Sequence, residues 1–318
     1  MSRLPRVTPA AFRRLAVVAT ALLAAIVVSG AAVRLTSSGL GCPTWPRCTP
    51  HSFVAASGFH KQVEFDNRVL STLVGLVVAA VALAALLRRP RRRDLTLLAW
   101  SLVAGFVAQA VIGGLSVVYG LAPGWVMAHF LLSMILLFAA LLLVHHADAD
   151  WPRITAPVRT ELRALTTLLV VTASLVLVLG TITTGTGPHA GDSTKHVPRF
   201  GLPLERVTQL HADSALLLTG LVVATLFAVR LTDTTTVVRR RAAWLAAAVV
   251  VQVVIGYVQY FLDLPPSVVG MHVAGATALW CAAVWLALAT YSGSGAAGPE
   301  VVDGDMVHLD DRPLAGQH

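Results

Sequence analysis

Gln109-Ala-Val-Ile-Gly-Gly114 and Gln252-Val-Val-Ile-Gly-Tyr257 are two copies of one pattern, 143 residues apart (252 against 109). Carried forward in the same register, Leu121 falls on Leu264, Pro123 on Pro266 and His129 on His272. Gln, Ile, Gly, Leu, Pro and His thus recur together, which chance matching rarely produces. A second correspondence, with one residue of slippage, sets Glu64-Phe-Asp-Asn67-Arg68 against Thr208-Gln-Leu-His211-Ala212. Each half also carries a glycine-rich loop, Ser38-Gly39-Leu40-Gly41-Cys42-Pro43 in one and Gly185-Thr186-Gly187-Pro188-His189 in the other.

Both copies lie in long apolar runs. A membrane-spanning helix needs about 20 apolar residues, and eight stretches qualify: 15–33, 69–87, 95–118, 124–144, 165–182, 207–229, 243–262 and 267–289. The repeat divides them four and four. An even number per half sends both halves into the membrane in the same sense, which is a parallel repeat. The expected fold is an all-α polytopic membrane protein, with eight transmembrane helices arranged as two pseudo-symmetric four-helix bundles. The expected organisation is a cytoplasmic N-terminus (1–14), an N-terminal half (15–144), a cytoplasmic linker (145–164), a C-terminal half (165–289) and a disordered cytoplasmic tail (290–318). The basic N-terminus could open a signal peptide. Its apolar stretch is too long for that, so it is read as a retained first helix.

Composition agrees. Of 318 residues, 56% are hydrophobic and 13% charged, with a mean hydropathy of +0.74. A chain this apolar lacks the polar surface of a soluble domain. The net charge of +8 does not point to nucleic acid, because the basic residues stand in short runs between apolar stretches. Seventeen of the 24 Lys and Arg fall on one side of the predicted membrane. The excess marks the cytoplasmic face and places both termini there, with contacts to lipid headgroups. The longer loops, roughly 34–67 and 183–206, then face outward.

Of eleven histidines, three interrupt apolar helices: His129, His211 and His272. Ionisable groups in such segments are costly, so they mark functional sites or satisfied interhelical hydrogen bonds. In an up-and-down bundle, His211 and His272 start helices that run in the same direction, so their imidazoles share one depth. Two neutral imidazoles facing across a bundle core suit a heme iron held from both sides. Zinc usually needs three or four protein ligands. The equivalent first-half pair is Asn67 and His129, and Asn67 is a poor iron ligand. That half should hold its ligand from one side, which suggests a permanent cofactor in the second half and a reacting molecule in the first. Glu64, on the same helix face as Asn67, could carry protons or pair with Arg68. His51 and His60 lie in the first outer loop, and His145 and His146 at a cytoplasmic helix end. Cys281 reads as a small buried hydrophobe.

Taken together these residues resemble the heme A synthases, in an actinobacterial-type variant, over roughly residues 15–290. The resemblance rests on Gly30-x-x-Val33-Arg34-Leu35-Thr36-x-Ser38-Gly39, Cys42-Pro43-x-Trp45-Pro46-x-Cys48, Glu64-x-x-Asn67-Arg68, Gly185-x-Gly187-Pro188-His189-x-Gly191-Asp192 and the three helix histidines. It implies oxidation of a methyl group of heme O to a formyl group, giving heme A for terminal oxidases in the plasma membrane. It places heme b on His211 and His272 and the substrate heme in the first half, near His129, Glu64 and the outer cysteines. Arg34, Arg68 and Asn67 are further candidates at the heme sites, the arginines as partners of the propionates. Heme O synthase and a quinone or other electron acceptor are the implied partners. Two departures stand out: Asn67 replaces the histidine of an E-x-x-H-R pattern, and the second outer loop lacks a cysteine pair. Cys42 and Cys48 can close a disulfide ring in an outer compartment, either as a loop staple or as redox-active thiols. The rivals are a diheme b-type electron-transfer cytochrome, which would present two symmetric histidine pairs, and a transporter with broken helices near the midplane.

Overall fold

The computed structural model describes residues 6–148, 158–193 and 196–291. These form eight helices: α1 (Pro9–Leu35), α2 (Phe59–Leu87), α3 (Arg93–Val118), α4 (Pro123–His146), α5 (Thr160–Thr186), α6 (Leu204–Leu231), α7 (Thr236–Phe261) and α8 (Pro266–Tyr291). All eight are long and apolar enough to cross a membrane. At 24 to 29 residues each extends roughly 40 Å, longer than the hydrocarbon layer. The chain is therefore a multi-pass helical membrane protein. Leu97 and Leu216, each more than 70% exposed, belong to the apolar surface that such a protein turns toward lipid. The predicted tail beyond Tyr291, and residues 149–157 of the predicted linker, lie outside the described residues, while Thr290 and Tyr291, placed in the tail by the sequence, close α8.

The helices close into two rings of four. In the first, α1 packs on α2, α2 on α3, α3 on α4, and α4 back on α1. The ring of α5, α6, α7 and α8 closes the same way. The buried positions show how exact the repeat is. Phe12, Ala16, Ala19 and Leu23 of α1 correspond to Leu162, Thr166, Leu169 and Ala173 of α5. Val74, Val78 and Val81 of α2 match Leu218, Val222 and Thr225 of α6. Leu95, Ala99 and Leu102 of α3 match Val238, Ala242 and Leu245 of α7, and Leu137 and Ala140 of α4 match Trp280 and Ala283 of α8. In this register Asn67 stands where His211 stands, and Gly30 where Gly180 stands.

The tight turns repeat as well. After α3, Leu121 takes a left-handed backbone (φ 60°) and its N–H donates to the Ser116 carbonyl at 2.7 Å. After α7, Leu264 does the same (φ 61°), donating to Gln259 at 2.8 Å. Both are helix-ending motifs that satisfy orphaned carbonyls. Pro123 and Pro266 then open the next helices, where a missing N–H costs nothing. The α1 start is capped by the Thr8 hydroxyl, which accepts from Ala11 N at 3.2 Å.

The two rings meet through α1 and α4 on one side and α5 and α8 on the other. Trp280 crosses this seam, its indole N–H donating to the Met134 carbonyl at 3.0 Å. At the arginine-rich end Thr166 and Thr290 share a buried hydrogen bond of 3.0 Å. One difference from the predicted spans matters. The second span, expected over 69–87, begins ten residues earlier, at Phe59. Apolarity reports only the hydrocarbon layer, and this helix runs on past it with polar residues. Glu64, Asn67 and Arg68 therefore sit within helix α2.

Candidate functional site

His129 on α4, His211 on α6 and His272 on α8 rest in cradles of one design. Each ring packs against a glycine of the preceding helix. A Cβ on Gly113 would stand 2.7 Å from Cε1 of His129, and one on Gly180 2.9 Å from Cε1 of His211. The looser third cradle puts the Gly256 position 3.4 Å from Cε1 of His272. Without side chains at these points the rings lie close against the neighbouring helix, where Nδ1 of His129 and of His272 is buried with no hydrogen-bond partner among the described residues. His211 uses the gap: its Nδ1 lies 3.1 Å from the carbonyl of Val176, one turn before Gly180. With Nδ1–H donating there, Nε2 keeps its lone pair. The residues one turn before Gly113 and Gly256 are Gln109 and Gln252. Their side-chain amides donate to the main-chain carbonyls of His129 (2.8 Å) and His272 (2.9 Å). They anchor the histidine-bearing helices at the height of the rings.

Overpacking such a contact costs about 1–3 kcal/mol. Gly180→Ala is therefore expected to lower the thermal unfolding temperature of the detergent-solubilised protein. Gly220→Ala, at a helical glycine with nothing within 4 Å of the added carbon, should leave it unchanged or raise it, since alanine is the better helix former. Equal behaviour of the two variants would contradict the cradle.

His211 and His272 face each other with ring centres 6.3 Å apart and planes at 72°. A metal held between two imidazole nitrogens needs about 2 Å for each bond, with about 1 Å more from each nitrogen to its ring centre, or roughly 6 Å in all. The spacing fits. Among the described residues no group of three or more His, Cys, Asp or Glu could hold a metal ion. An ion here would have these two imidazoles as its protein ligands, and another group would have to supply its remaining bonds.

The first half has Asn67 at the position of His211. Asn67 does not reach the Gly30 cradle: nothing lies within 4 Å of a Cβ built on Gly30. Ser29 sits 2.7 Å from Asn67 Oδ1 and 3.1 Å from the carbonyl of Ile26. Ile26 occupies the place of Val176, so Ser29 covers the acceptor that His211 uses in the second half. Ser29 and Asn67 line a groove of about 280 Å³ between α1 and α2 with Ala32, Val33, Val63, Asp66 and Leu70.

Glu64, about one turn before Asn67, and Arg68, the residue after it, are turned to the first loop. Glu64, 5% exposed, accepts from Cys42 N and from Arg68, both at 2.6 Å. Arg68 also donates to the carbonyls of Cys42 (2.9 Å), Thr44 (3.0 Å) and Arg47 (3.1 Å). The pair thus grips the loop closed by the Cys42–Cys48 disulfide, and both cysteines are buried. Gly41 lets this loop lie directly on the His60 backbone, which a side chain would strike. Trp45 reaches from the loop to cover Gly114, next to the His129 cradle. Arg34 donates to the carbonyls of His189 (2.8 Å) and Thr184 (3.0 Å), tying α1 to the second loop. His189 completes the clasp, its Nε2 lying 2.8 Å from the Leu264 carbonyl. Arg199 bonds the carbonyls of Thr184 and Gly187 at the end of α5, and burial holds its guanidinium below the usual arginine range.

The structure thus joins His211 with His272 directly. Asn67 and Ser29 flank an empty cradle, while Glu64, Arg68 and the disulfide form a separate clamp at the loop. Ser29 and the cradle glycines were missed as site residues by sequence reasoning. The glutamines were seen only as repeat markers, although their recurrence at a fixed distance from the histidines was a usable signal.

Fold and site define a class: a multi-pass membrane protein of two fused four-helix bundles with histidines set across the bundle core. The family model described as COX15-CtaA, cytochrome oxidase assembly protein, matches residues 13–58 and 54–284. The chain belongs to this family. It is similar to the heme A synthase of Bacillus licheniformis, 30% identical over 143 residues, covering 44% of this chain and 47% of that protein. The heme A synthase of Alkalihalophilus pseudofirmus is 29% identical over 126 residues, 39% of this chain and 42% of its own. That of Exiguobacterium sp. is 27% identical over 163 residues, 49% and 54% respectively. The chain spans about half the length of the curated relatives it matches.

Proposed function

We propose that the chain is a heme A synthase, oxidising a methyl group of heme O to the formyl group of heme A for oxidase assembly. The observation that carries this reading is the facing His211–His272 pair, at a spacing that fits a metal between them. That pair would hold heme b in the second half as resident cofactor, supplying one-electron transfer. The first half receives the substrate heme on His129 alone, since Asn67 offers no imidazole opposite. One-sided ligation suits a molecule that must leave as product.

Two hydroxylations with water as the oxygen source, each releasing two electrons and two protons, followed by loss of one water, would bring the methyl group to the formyl state, the four electrons passing to the acceptor. The buried Glu64 carboxylate is the candidate proton carrier at the loop end of this half. In the resting geometry Arg68 and Cys42 N occupy it, so delivery requires the loop clamp to loosen. Arg34 and Arg68 place positive charge at the same end, where heme propionates would lie. Their present carbonyl partners are exchangeable for carboxylate oxygens. The arginine bias sets this end outward and both termini in the cytoplasm, with the protein in the plasma membrane. Heme O synthase would deliver the substrate, and a quinone or similar carrier would remove electrons.

The test is heme extraction and chromatography from cells that make heme O, with and without this chain. Heme A or its hydroxylated precursor should appear only with the chain. Heme B co-purifying while heme O stays untouched would favour a diheme electron-transfer cytochrome instead.

A further inference from the structure

The two rings are finished differently at their loop ends. In the second, a groove of about 470 Å³ lies between Thr186, Gly187 and Pro188 at the end of α5, Leu204 of α6, and Tyr260, Asp263 and Leu264 around the end of α7. The repeat sets Leu204 against His60 and Leu264 against Leu121. In the first half both of these positions are covered by the chain that leads into the Cys42–Cys48 ring. Gly41 lies on the His60 backbone, where a Cβ would collide, and a Cβ on Gly39 would stand 2.9 Å from Leu121 Cδ1. Ser38 is fully buried, its Oγ 3.1 Å from Nδ1 of His60. Past Cys42 the ring carries Trp45 across to α3. A Cβ on Gly114 would stand 2.5 Å from Cδ2 of the indole and 2.6 Å from Cε2, and Gly114 adjoins Gly113, on which His129 rests. The matching position of α7 is Tyr257, which keeps its own aromatic side chain, 64% exposed. At this point α3 gives up a side chain and receives an aromatic ring from the loop. Trp45 is itself 45% exposed, so it lies over α3 and is not part of a core. The anchoring of the ring comes from α2: Glu64 accepts from Cys42 N, and Arg68 donates to the carbonyls of Cys42, Thr44 and Arg47. The disulfide closes residues 42–48 on themselves, so a displacement at Trp45 carries the whole ring.

We infer that the Cys42–Cys48 ring is a lid on the first bundle and that Trp45 is its latch: the indole seated on Gly114 holds the lid shut, and it leaves Gly114 when the substrate heme enters or departs. The hinge is on α2, at Glu64 and Arg68, and the latch is on α3. The inference rests on the proposed placement of the substrate heme on His129 and deepens it by assigning the group that governs passage of that heme. A substrate must come and go, so its half needs a cover that moves. A resident cofactor needs none, and the matching end of the second bundle carries an open groove instead. A lid of this kind commits the bound molecule while the chemistry proceeds.

The experiment follows heme O entering and leaving the full chain in detergent by absorbance, with apomyoglobin as the acceptor for release. Trp45→Ala removes the latch. It should quicken both loading and release of the first-half heme at least tenfold with less than a threefold change in affinity, because an unlatched lid opens one path in both directions. Gly114→Leu unseats the indole from the α3 side and should do the same. The double variant should be no faster than either single one. Tyr257→Ala, at the matching point of the second half, should change neither rate. The low-spin heme of the His211–His272 pair, retained throughout, reports that each variant is folded, and Trp45→Leu replaces Trp45→Ala if the latter loses it. Faster release with unchanged loading would make Trp45 a fixed wall and overturn the inference. Unchanged rates in the Trp45 and Gly114 variants, or accelerations that multiply in the double variant, would overturn it too. A chain that retains only the heme of His211 and His272, with no second heme under any loading condition, instead overturns the placement on which the inference rests.

Discussion

His272→Ala is expected to lower the heme retained by the second half at least tenfold and to remove its low-spin spectrum. In the proposed site the two imidazoles, 6.3 Å apart, would hold the heme only as a pair. With one removed, His211 still lies against Gly180 with its Nδ1 on the Val176 carbonyl, but a single bond must then retain the cofactor. His211→Ala should behave alike, since the two rings contribute equally to the gap. Asn67→Ala should leave this heme untouched, because Asn67 sits in the other ring on α2. Quantifying heme per chain, with spectra of the reduced and oxidised protein, checks all three variants. Wild-type heme content and a low-spin spectrum in both histidine variants would remove these residues from the site. Loss of the protein from the membrane in His272→Ala would be distinguished by His272→Met, which keeps a side chain in the cradle and can still ligate iron.

The second large effect concerns the clamp. Glu64→Ala removes the acceptor of Cys42 N and the charge partner of Arg68 at once. Breaking a buried ion pair by deleting one partner costs about 3–5 kcal/mol, because the other charge stays uncompensated. Arg68 is partly exposed, which places the expected loss near the lower end, at about 3 kcal/mol. Thermal unfolding of Glu64→Ala, Arg68→Ala and the double variant measures it. The double variant should be markedly less destabilised than the sum of the singles. Additive losses would mean that the contact contributes nothing as a pair. Glu64→Gln separates structure from chemistry. It keeps an acceptor for Cys42 N, so it should cost about 1–2 kcal/mol and retain heme in both halves. Turnover falling a hundredfold in that folded variant would assign Glu64 a proton-carrying role. Full turnover would leave it as a clamp alone.

The motif Glu64-x-x-Asn67-Arg68 shows how far a linear reading carries. Its residue types pointed to a heme-binding helix start, and the repeat set Asn67 against His211. Helical spacing alone suggested that Glu64 and Asn67 share a face and hence a site. In the fold Glu64 and Arg68 reach up to the Cys42–Cys48 loop while Asn67 turns to Ser29. The separation depends on where a loop 20 residues upstream comes to rest, and no local pattern encodes that. Arg34 is a parallel case. The resemblance made it a candidate propionate partner, whereas its guanidinium is held by the carbonyls of Thr184 at the end of α5 and His189 in the second loop, 150 and 155 residues away.

The sequence by itself determined the number of membrane crossings, the arginine asymmetry, the division into halves and the three imidazole-bearing helices. These follow from one-dimensional quantities: apolar run length against bilayer thickness, charge placement, and a repeat whose register survives in buried positions. Only the tertiary structure decided which glycine each imidazole rests on, which carbonyl orients His211, and that the Ser29 hydroxyl lies between Asn67 and the Ile26 carbonyl. Those are contacts between neighbouring helices, and they depend on the rotation of each helix about its own axis. That rotation is set by the packing of the whole ring of four, and no single helix carries it in its own sequence.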